Sequence, residues 1–132
     1  MEILIKTSVL RDTLQNVIAV IDKSSAKPIL SNFLIKTLEE EGEARVEFTA
    51  TDYELSLIER HSAEVRAGGS ICINARKMYD IVREFSGETV RIQSTEQLWV
   101  NATCGNSELR LPTVEVGLYP QTEIEDLPEK LS

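Results

Sequence analysis

The side chains best suited to catalysis in this sequence are Asp52 and the single histidine, His61. A carboxylate and an imidazole facing each other across a sheet edge can act as a general base and a general acid. Nothing else supports such a site, since the HExxH, GxSxG, GxxxxGK[ST] and GxGxxG motifs are all missing from the sequence. The plainer interpretation is that Asp52 caps a turn between strands and that His61 is an exposed strand residue. A small enzyme using Asp52 and His61 therefore remains only an alternative.

Metal, cofactor and membrane chemistry have no evident basis in the sequence. Cys72 and Cys104 lie far apart, without a CxxC motif or a Cys/His cluster, so they are expected to be free thiols. No metal or cofactor is predicted. The amino terminus reaches Lys6 and Arg11 after a short apolar stretch, and no apolar run is long enough to cross a bilayer. These features predict a cytoplasmic protein without a membrane partner.

Basic residues are concentrated in two stretches of an otherwise acidic chain. The formal net charge is −8, which by itself argues against binding nucleic acid, because neutralising phosphates takes clustered cations. Residues 6–27 and residues 75–85, however, each contain more Lys and Arg than Asp and Glu. This distribution suits a protein that meets DNA with one face only.

The second basic stretch has helical spacing. Arg76 and Arg83 are seven residues apart and so lie on one side of a helix, with Lys77 beside them. They form a candidate surface for DNA phosphates. The alternative is a solvated helix face on which these cations pair with Asp80 and Glu84.

The elements that would position these groups occur twice. Residues 3–14 and residues 71–82 each read as an alternating strand followed by an amphipathic helix, and each copy is followed by further alternating segments. We therefore predict an α+β domain of two pseudo-symmetric strand-helix-strands repeats, about 1–68 and 69–120, with two helices packed on antiparallel sheet. Chance similarity of the two starts is the alternative. The aligned pairs are Ile3 with Ile71, Ile5 with Ile73, Leu10 with Met78, Asp12 with Asp80, Leu14 with Val82, and Val17 with Phe85.

Several local features follow from the same patterns. The first helical period covers residues 9–21, and Thr7 or Ser8 is suited to cap that helix. Leu98 is counted as the first apolar residue of a late strand, and Trp99 is expected to pack in the core.

Four segments carry a family resemblance when taken together. They are Lys27-Pro-Ile-Leu-Ser-Asn-Phe-Leu-Ile, Thr49-Ala-Thr-Asp-Tyr-Glu-Leu, Asn74-Ala-Arg-Lys-Met-Tyr-Asp-Ile-Val-Arg, and Leu111-Pro-Thr with the later Tyr119-Pro. In order and spacing these resemble the amino-terminal domain of bacterial DNA polymerase III beta subunits, the sliding clamps. The similarity covers nearly the whole chain.

The resemblance implies a fold and a function. It implies the DNA-clamp fold, with residues 1–120 as the first of three similar domains and residues 121–132 as a linker towards a second domain that this chain lacks. Two such subunits would close head to tail into a ring around duplex DNA. The resemblance thus implies a non-catalytic processivity factor of the replicative polymerase, whose polymerase and clamp loader bind through the later domains.

The resemblance also indicates which residues would touch DNA. Some match helix positions that face or border the hole of the ring. Others lie in a loop after the first helix, where the family often has a basic residue at the position that Ser24 holds here. The DNA-contact candidates are Arg11, Arg76 and Arg83 on the helices, and Lys23, Ser24 and Lys27 in the loop.

Ring closure would use a strand near the end of the domain. The matching strand is residues 107–111, and the ring-interface candidates are Ser107, Leu109 and Leu111, with Lys77 nearby. Ordinary core burial is the alternative for the two leucines. A third hypothesis is a protein-interaction domain in which both leucines lie on an exposed, self-associating strand edge.

Overall fold

The computed structural model describes residues 1–21, 31–40, 42–51, 55–95 and 98–119. They contain two α-helices, nine strands and one short 3-10 helix, Val116–Leu118. No helix in these ranges is long and apolar enough to span a membrane. In chain order the elements are β1 Glu2–Lys6, α1 Thr7–Ile21, β2 Asn32–Glu40, β3 Glu43–Thr51, β4 Ser56–Ser62, β5 Glu64–Ala67, β6 Ser70–Asn74, α2 Ala75–Val82, β7 Thr89–Ser94, β8 Trp99–Cys104 and β9 Ser107–Pro112.

Helix α1 follows β1 without a loop. It begins at Thr7, so Thr7 belongs to the helix and does not precede it as a cap. Thr7 is buried because its backbone N–H donates to the carbonyl oxygen of Glu88 (2.8 Å) and its hydroxyl lies 3.8 Å from the Cys104 sulfur. The start of the first helix is therefore fixed by the second half of the chain.

Helix α2 is shorter and has a side-chain cap. The Asn74 side-chain oxygen accepts a hydrogen bond from the backbone N–H of Lys77 (2.9 Å), which satisfies one of the unpaired donors of the first turn. The helix ends at Val82, and Arg83 is its C-cap residue.

Each sheet takes its first strand from the opposite repeat. The five-stranded sheet has the order β5-β1-β7-β8-β9, and the four-stranded sheet has the order β4-β3-β2-β6. The first strand of repeat one, β1, therefore lies between β7 of repeat two and β5 of its own repeat, and β6 pairs with β2 of repeat one. All strand pairs are antiparallel; in the β1–β7 pair, Ile3 lies opposite Ile92. The predicted α+β domain, with two helices packed on antiparallel sheet, is confirmed, and the two repeats are interlocked.

The core contains the apolar residues that align between the repeats. Ile3, Leu10 and Leu14 are inaccessible to solvent. So are Ile73, Met78 and Val82, which align with Ile5, Leu10 and Leu14. The largest fully buried side chains are Phe33 on β2 and Phe48 on β3, whose rings stack with centroids 6.2 Å apart. The remaining buried apolar residues of this core are Ile5, Val17, Ile21, Ile35, Val46, Ala50, Ile71, Ala75, Phe85, Val90, Ile92, Val100, Ala102, Cys104, Leu109 and Leu111.

Two expectations about β8 are wrong. Leu98 precedes the strand with a positive φ of 60° and is half exposed. Trp99 is only partly buried, because Val100 and Ala102 take the inward positions of β8 and side chains alternate between the faces of a strand. Trp99 therefore lies on the outer face of the sheet.

The segment after β9 returns to the other sheet. The backbone N–H of Val114 donates to the carbonyl oxygen of Cys72, forming an antiparallel bridge beside β6. Further along, the buried Tyr119 accepts a hydrogen bond through its hydroxyl from the backbone N–H of Thr51 (3.1 Å). The outgoing chain is thereby attached to the four-stranded sheet as far as the described residues extend.

Candidate nucleic-acid and subunit interfaces

The two helices pack side by side and share one polar surface. The Gln15 side-chain amide on α1 donates to the Tyr79 hydroxyl on α2 (3.0 Å). Asp12 and Asp80, aligned in the two repeats, are both exposed. We call this helix surface the paired-helix face; its exposed residues are Ser8, Asp12, Gln15, Asn16, Ala19, Arg76, Lys77, Asp80, Arg83 and Glu84.

The predicted helix cations divide into two kinds. Arg76, Lys77 and Arg83 are exposed on or beside α2, as their spacing predicted. Arg83 lies 6.0 Å from the centroid of the Tyr79 ring and only 4.0 Å from a Glu84 oxygen. That separation is at the outer limit of an ion pair, so the Arg83 charge remains accessible to an anionic partner.

Arg11 has a different environment from the other cations. Its guanidinium donates to the carbonyl oxygen of Phe85, which follows the end of α2 (3.1 Å). Its Nε is buried without a hydrogen-bond partner among the described residues. Arg11 also borders an open cleft of about 500 Å³ between the start of α1 and the turn that contains Gly87. Part of this side chain is therefore used for contact between the repeats.

The loop candidates for DNA contact cannot be placed. Lys23, Ser24 and Lys27 lie outside the described residues, as does Asp52 of the enzyme alternative. Their assignment stays a prediction.

His61 joins β4 to α1. Its Nε2 is 2.9 Å from a Glu59 oxygen and 3.0 Å from the Thr13 hydroxyl, and its ring meets the Phe48 ring edge-on at 6.1 Å. The other Glu59 oxygen accepts from the Asn16 amide (2.7 Å). These contacts correct the expectation that His61 is simply a solvated strand residue, since its hydrogen bonds hold the helix on the sheet.

The strand predicted to close the ring lies at a sheet edge. β9 pairs with β8 on one side and with no strand on the other among the described residues. Leu109 and Leu111 point into the core, with exposed fractions of 5% and 8%, whereas Ser107 is exposed. The hypothesis of two exposed leucines is thus wrong for the side chains, although the strand edge itself is open.

The outer face of this edge is charged. Glu108 and Arg110 are both exposed, and the Arg110 guanidinium lies over the Trp99 ring, 4.6 Å from its centroid. This pairing went unpredicted because Trp99 was assigned to the core. The alternation of β8 was the signal that would have found it.

Comparison with known proteins identifies the family. Residues 1–123 match the family model described as the DNA polymerase III beta subunit, N-terminal domain. This chain belongs to that family. The match covers nearly the whole chain. The paired-helix face and the β9 edge therefore both lie within the region that matches this family.

Relatives in the beta-subunit family are similar over the same region. A beta sliding clamp of Caulobacter vibrioides is 29% identical over 134 residues, covering 100% of this chain and 35% of that protein. One from Vibrio cholerae is 32% identical over 124 residues, covering 93% of this chain and 33% of that protein. The chain thus spans about a third of the length of these curated relatives.

Solved structures agree with the fold. The DNA polymerase III beta of Caulobacter crescentus superposes with a TM-score of 0.80 at 28% identity, covering 92% of this chain and 32% of that one. The beta subunit of Pseudomonas aeruginosa superposes with a TM-score of 0.80 at 29% identity, covering 93% and 32%. The beta-subunit fold therefore extends over the described residues of both repeats.

Proposed function

We propose that this chain is the first domain of a ring-shaped, non-catalytic clamp that encircles duplex DNA in the bacterial cytoplasm and tethers a replicative polymerase. The observation that carries the proposal is the paired-helix face. Two helices from interlocked repeats lie side by side, and Arg76 and Arg83 project from one of them. Cations held on a rigid helical surface can meet phosphates without reading sequence.

The charge balance of this face favours sliding over tight binding. The exposed cations Arg76, Lys77 and Arg83 share this face with the exposed carboxylates of Asp12 and Asp80. Each phosphate contact contributes to affinity and to its salt dependence, so a face with few unopposed cations binds duplex weakly. Retention then comes from ring closure, because a closed ring leaves DNA only over an end. A tethered polymerase gains effective concentration at the primer end.

Ring closure in this proposal uses the open edge of β9. Main-chain groups of residues 107–111 would pair with a strand of the neighbouring subunit, and Leu109 and Leu111 would support the edge from beneath. Lys77, which is exposed at the start of α2, is the proposed charged contact. Polymerase and clamp loader are proposed to bind through domains other than this one.

The proposal is tested on the complete subunit that carries this domain. The protein is loaded by its clamp loader on nicked circular duplex, and retention is measured by gel filtration before and after the circle is linearised. Retention on circles and rapid loss from linear DNA support the clamp. Equal loss from both forms contradicts it.

The role of the paired-helix face has its own control. Arg76→Gln with Arg83→Gln should lower the salt concentration at which loading fails. Arg45→Gln with Arg66→Gln removes two cations from the sheets, where each is paired with a nearby glutamate at 2.9 and 2.6 Å. If loading of the two double variants were equally sensitive to salt, the paired-helix face would not be the surface that contacts DNA.

A further inference from the structure

The open edge of β9 is self-complementary in charge. Its outward-facing residues include Glu108 and Arg110, which flank the inward-facing Leu109. Neither Glu108 nor Arg110 has an ion pair among the described residues, and the Arg110 guanidinium lies over the face of the Trp99 ring. Because stacking uses the face of a guanidinium, the N–H donors at its rim stay available to a carboxylate.

Only one antiparallel register of β9 with a second β9 satisfies these charges. Centred on Leu109, it places Glu108 of each copy opposite Arg110 of the other, with the two Leu109 side chains meeting on the inner face. Moving the centre to Glu108 brings the two glutamates together, and moving it to Arg110 brings the two arginines together. A register centred between two residues places inward-facing side chains of one copy opposite outward-facing side chains of the other. Such a register is unfavourable because one face of this sheet is buried and the other is exposed.

We propose that this chain forms an isologous homodimer in which the β9 edges of two copies pair in the register centred on Leu109. The two five-stranded sheets then continue into one ten-stranded sheet. Both copies use the same β9 edge, and that edge is fully occupied in the dimer, so assembly stops at two copies. A strand edge of this length buries less than the roughly 1,200 Å² typical of stable complexes, so the dimer is weak and depends on concentration.

The other open edges fit β9 less well. β5 is the opposite edge of the five-stranded sheet, and its Arg66 is already paired with Glu64 (2.6 Å) and Glu2 (3.7 Å). β4 also lacks a partner on its outer side within the described residues. Its exposed cation, Arg60, is already bonded to the Glu47 carboxylate (2.9 Å) on the neighbouring strand β3. Pairing β9 with β4 would therefore compete with an existing ion pair, whereas pairing β9 with β9 forms two ion pairs from groups that have none.

The dimer has a consequence for the proposed clamp, and only this consequence rests on the proposed function. Ring closure and homodimer formation use the same edge of β9, so each excludes the other. A pool of edge-paired copies would then be unable to close rings.

Sedimentation velocity of this chain alone tests the dimer, without DNA or other proteins. We expect the weight-average mass to rise from monomer to dimer between micromolar and millimolar concentration, with no larger species. Glu108→Lys places Lys opposite Arg110, and Arg110→Glu places Glu opposite Glu108. Each variant alone should be monomeric, and their equimolar mixture should regain the dimer because all charges across the edge are again opposite.

Two controls keep the result specific. Glu84→Lys makes the same charge change beside α2 and should leave dimerisation unchanged. Thermal unfolding of each variant checks that it is folded before its mass is interpreted. A monomer at every concentration, a dimer that survives Glu108→Lys, a mixture that does not recover, or growth beyond two copies would each overturn the proposal. Loss of clamp activity in the complete subunit would leave these outcomes unaffected.

Discussion

The Arg11 guanidinium of the first repeat donates a hydrogen bond to the Phe85 carbonyl oxygen of the second repeat, across 3.1 Å and 74 positions of sequence. The carbonyls at the end of a helix lack intrahelical partners and carry a partial negative charge. Arg11 supplies a charged donor beside the end of α2 and so connects the helices of the two repeats.

Replacing Arg11 should therefore lower stability. Arg11→Met keeps most of the aliphatic stem but leaves the Phe85 carbonyl without this donor. We expect a loss of about 1.5–3 kcal/mol, the usual range for a hydrogen bond to a charged group, measured by urea unfolding. Lys77→Met is the matched control, since Lys77 is exposed, and should change stability by less than about 0.5 kcal/mol. Equal effects of both substitutions would contradict the role of Arg11.

Gly87 is required by a close approach to Cys104. A β-carbon at position 87 would lie 2.7 Å from the Cys104 sulfur, which is buried. Gly87→Ala should cost about 1–3 kcal/mol through overpacking, measured by thermal or urea unfolding. Gly117→Ala is the control, because no atom lies within 4 Å of its β-carbon position. The double variant Gly87→Ala with Cys104→Ala should recover part of the lost stability, because it lacks the Cys104 sulfur. If no stability is recovered, the strain does not come from contact with that sulfur.

The Tyr119 hydroxyl is a buried hydrogen-bond acceptor. Tyr119→Phe would remove the acceptor from the Thr51 backbone N–H while keeping the ring. An unsatisfied buried donor costs about 1–3 kcal/mol, so we expect a loss in that range on urea unfolding. Tyr79→Phe removes an exposed hydrogen bond to Gln15 and should cost much less. Faster amide exchange at Thr51 in Tyr119→Phe alone would identify the affected donor.

Burial raises the pKa of the Cys72 thiol from 9.0 to about 12. The folded state then holds the thiol proton at pH values where the unfolded state has released it. Stability contributed by this group is complete below pH 9 and decreases as the pH rises towards 12. Urea unfolding at several alkaline pH values should show this decrease in the native chain and a smaller one in Cys72→Ala. Identical pH dependence of the two proteins would contradict the prediction.

The sequence predicted the repeat and the burial of its aligned apolar residues, because the hydrophobic period specifies which face of an element is buried. It did not predict that β1 and β6 exchange sheets, since the same alternation is satisfied by either set of neighbouring strands. Similarly, the spacing of Arg76 and Arg83 predicted their exposure on one helix. Residue spacing could not predict the hydrogen bond from Arg11 to the Phe85 carbonyl oxygen, because this bond depends on how the two helices pack against each other.

The exchanged first strands also determine when this chain can fold during its synthesis. Ile3 lies between Val65 on β5 and Ile92 on β7, so β1 cannot be paired on both edges until most of the chain has left the ribosome. Until then one edge of β1 stays open to other nascent chains and to chaperones. Folding of such long-range pairings is slow compared with local ones. The interlocking that unites the two repeats therefore extends the period in which the newborn chain is vulnerable to aggregation.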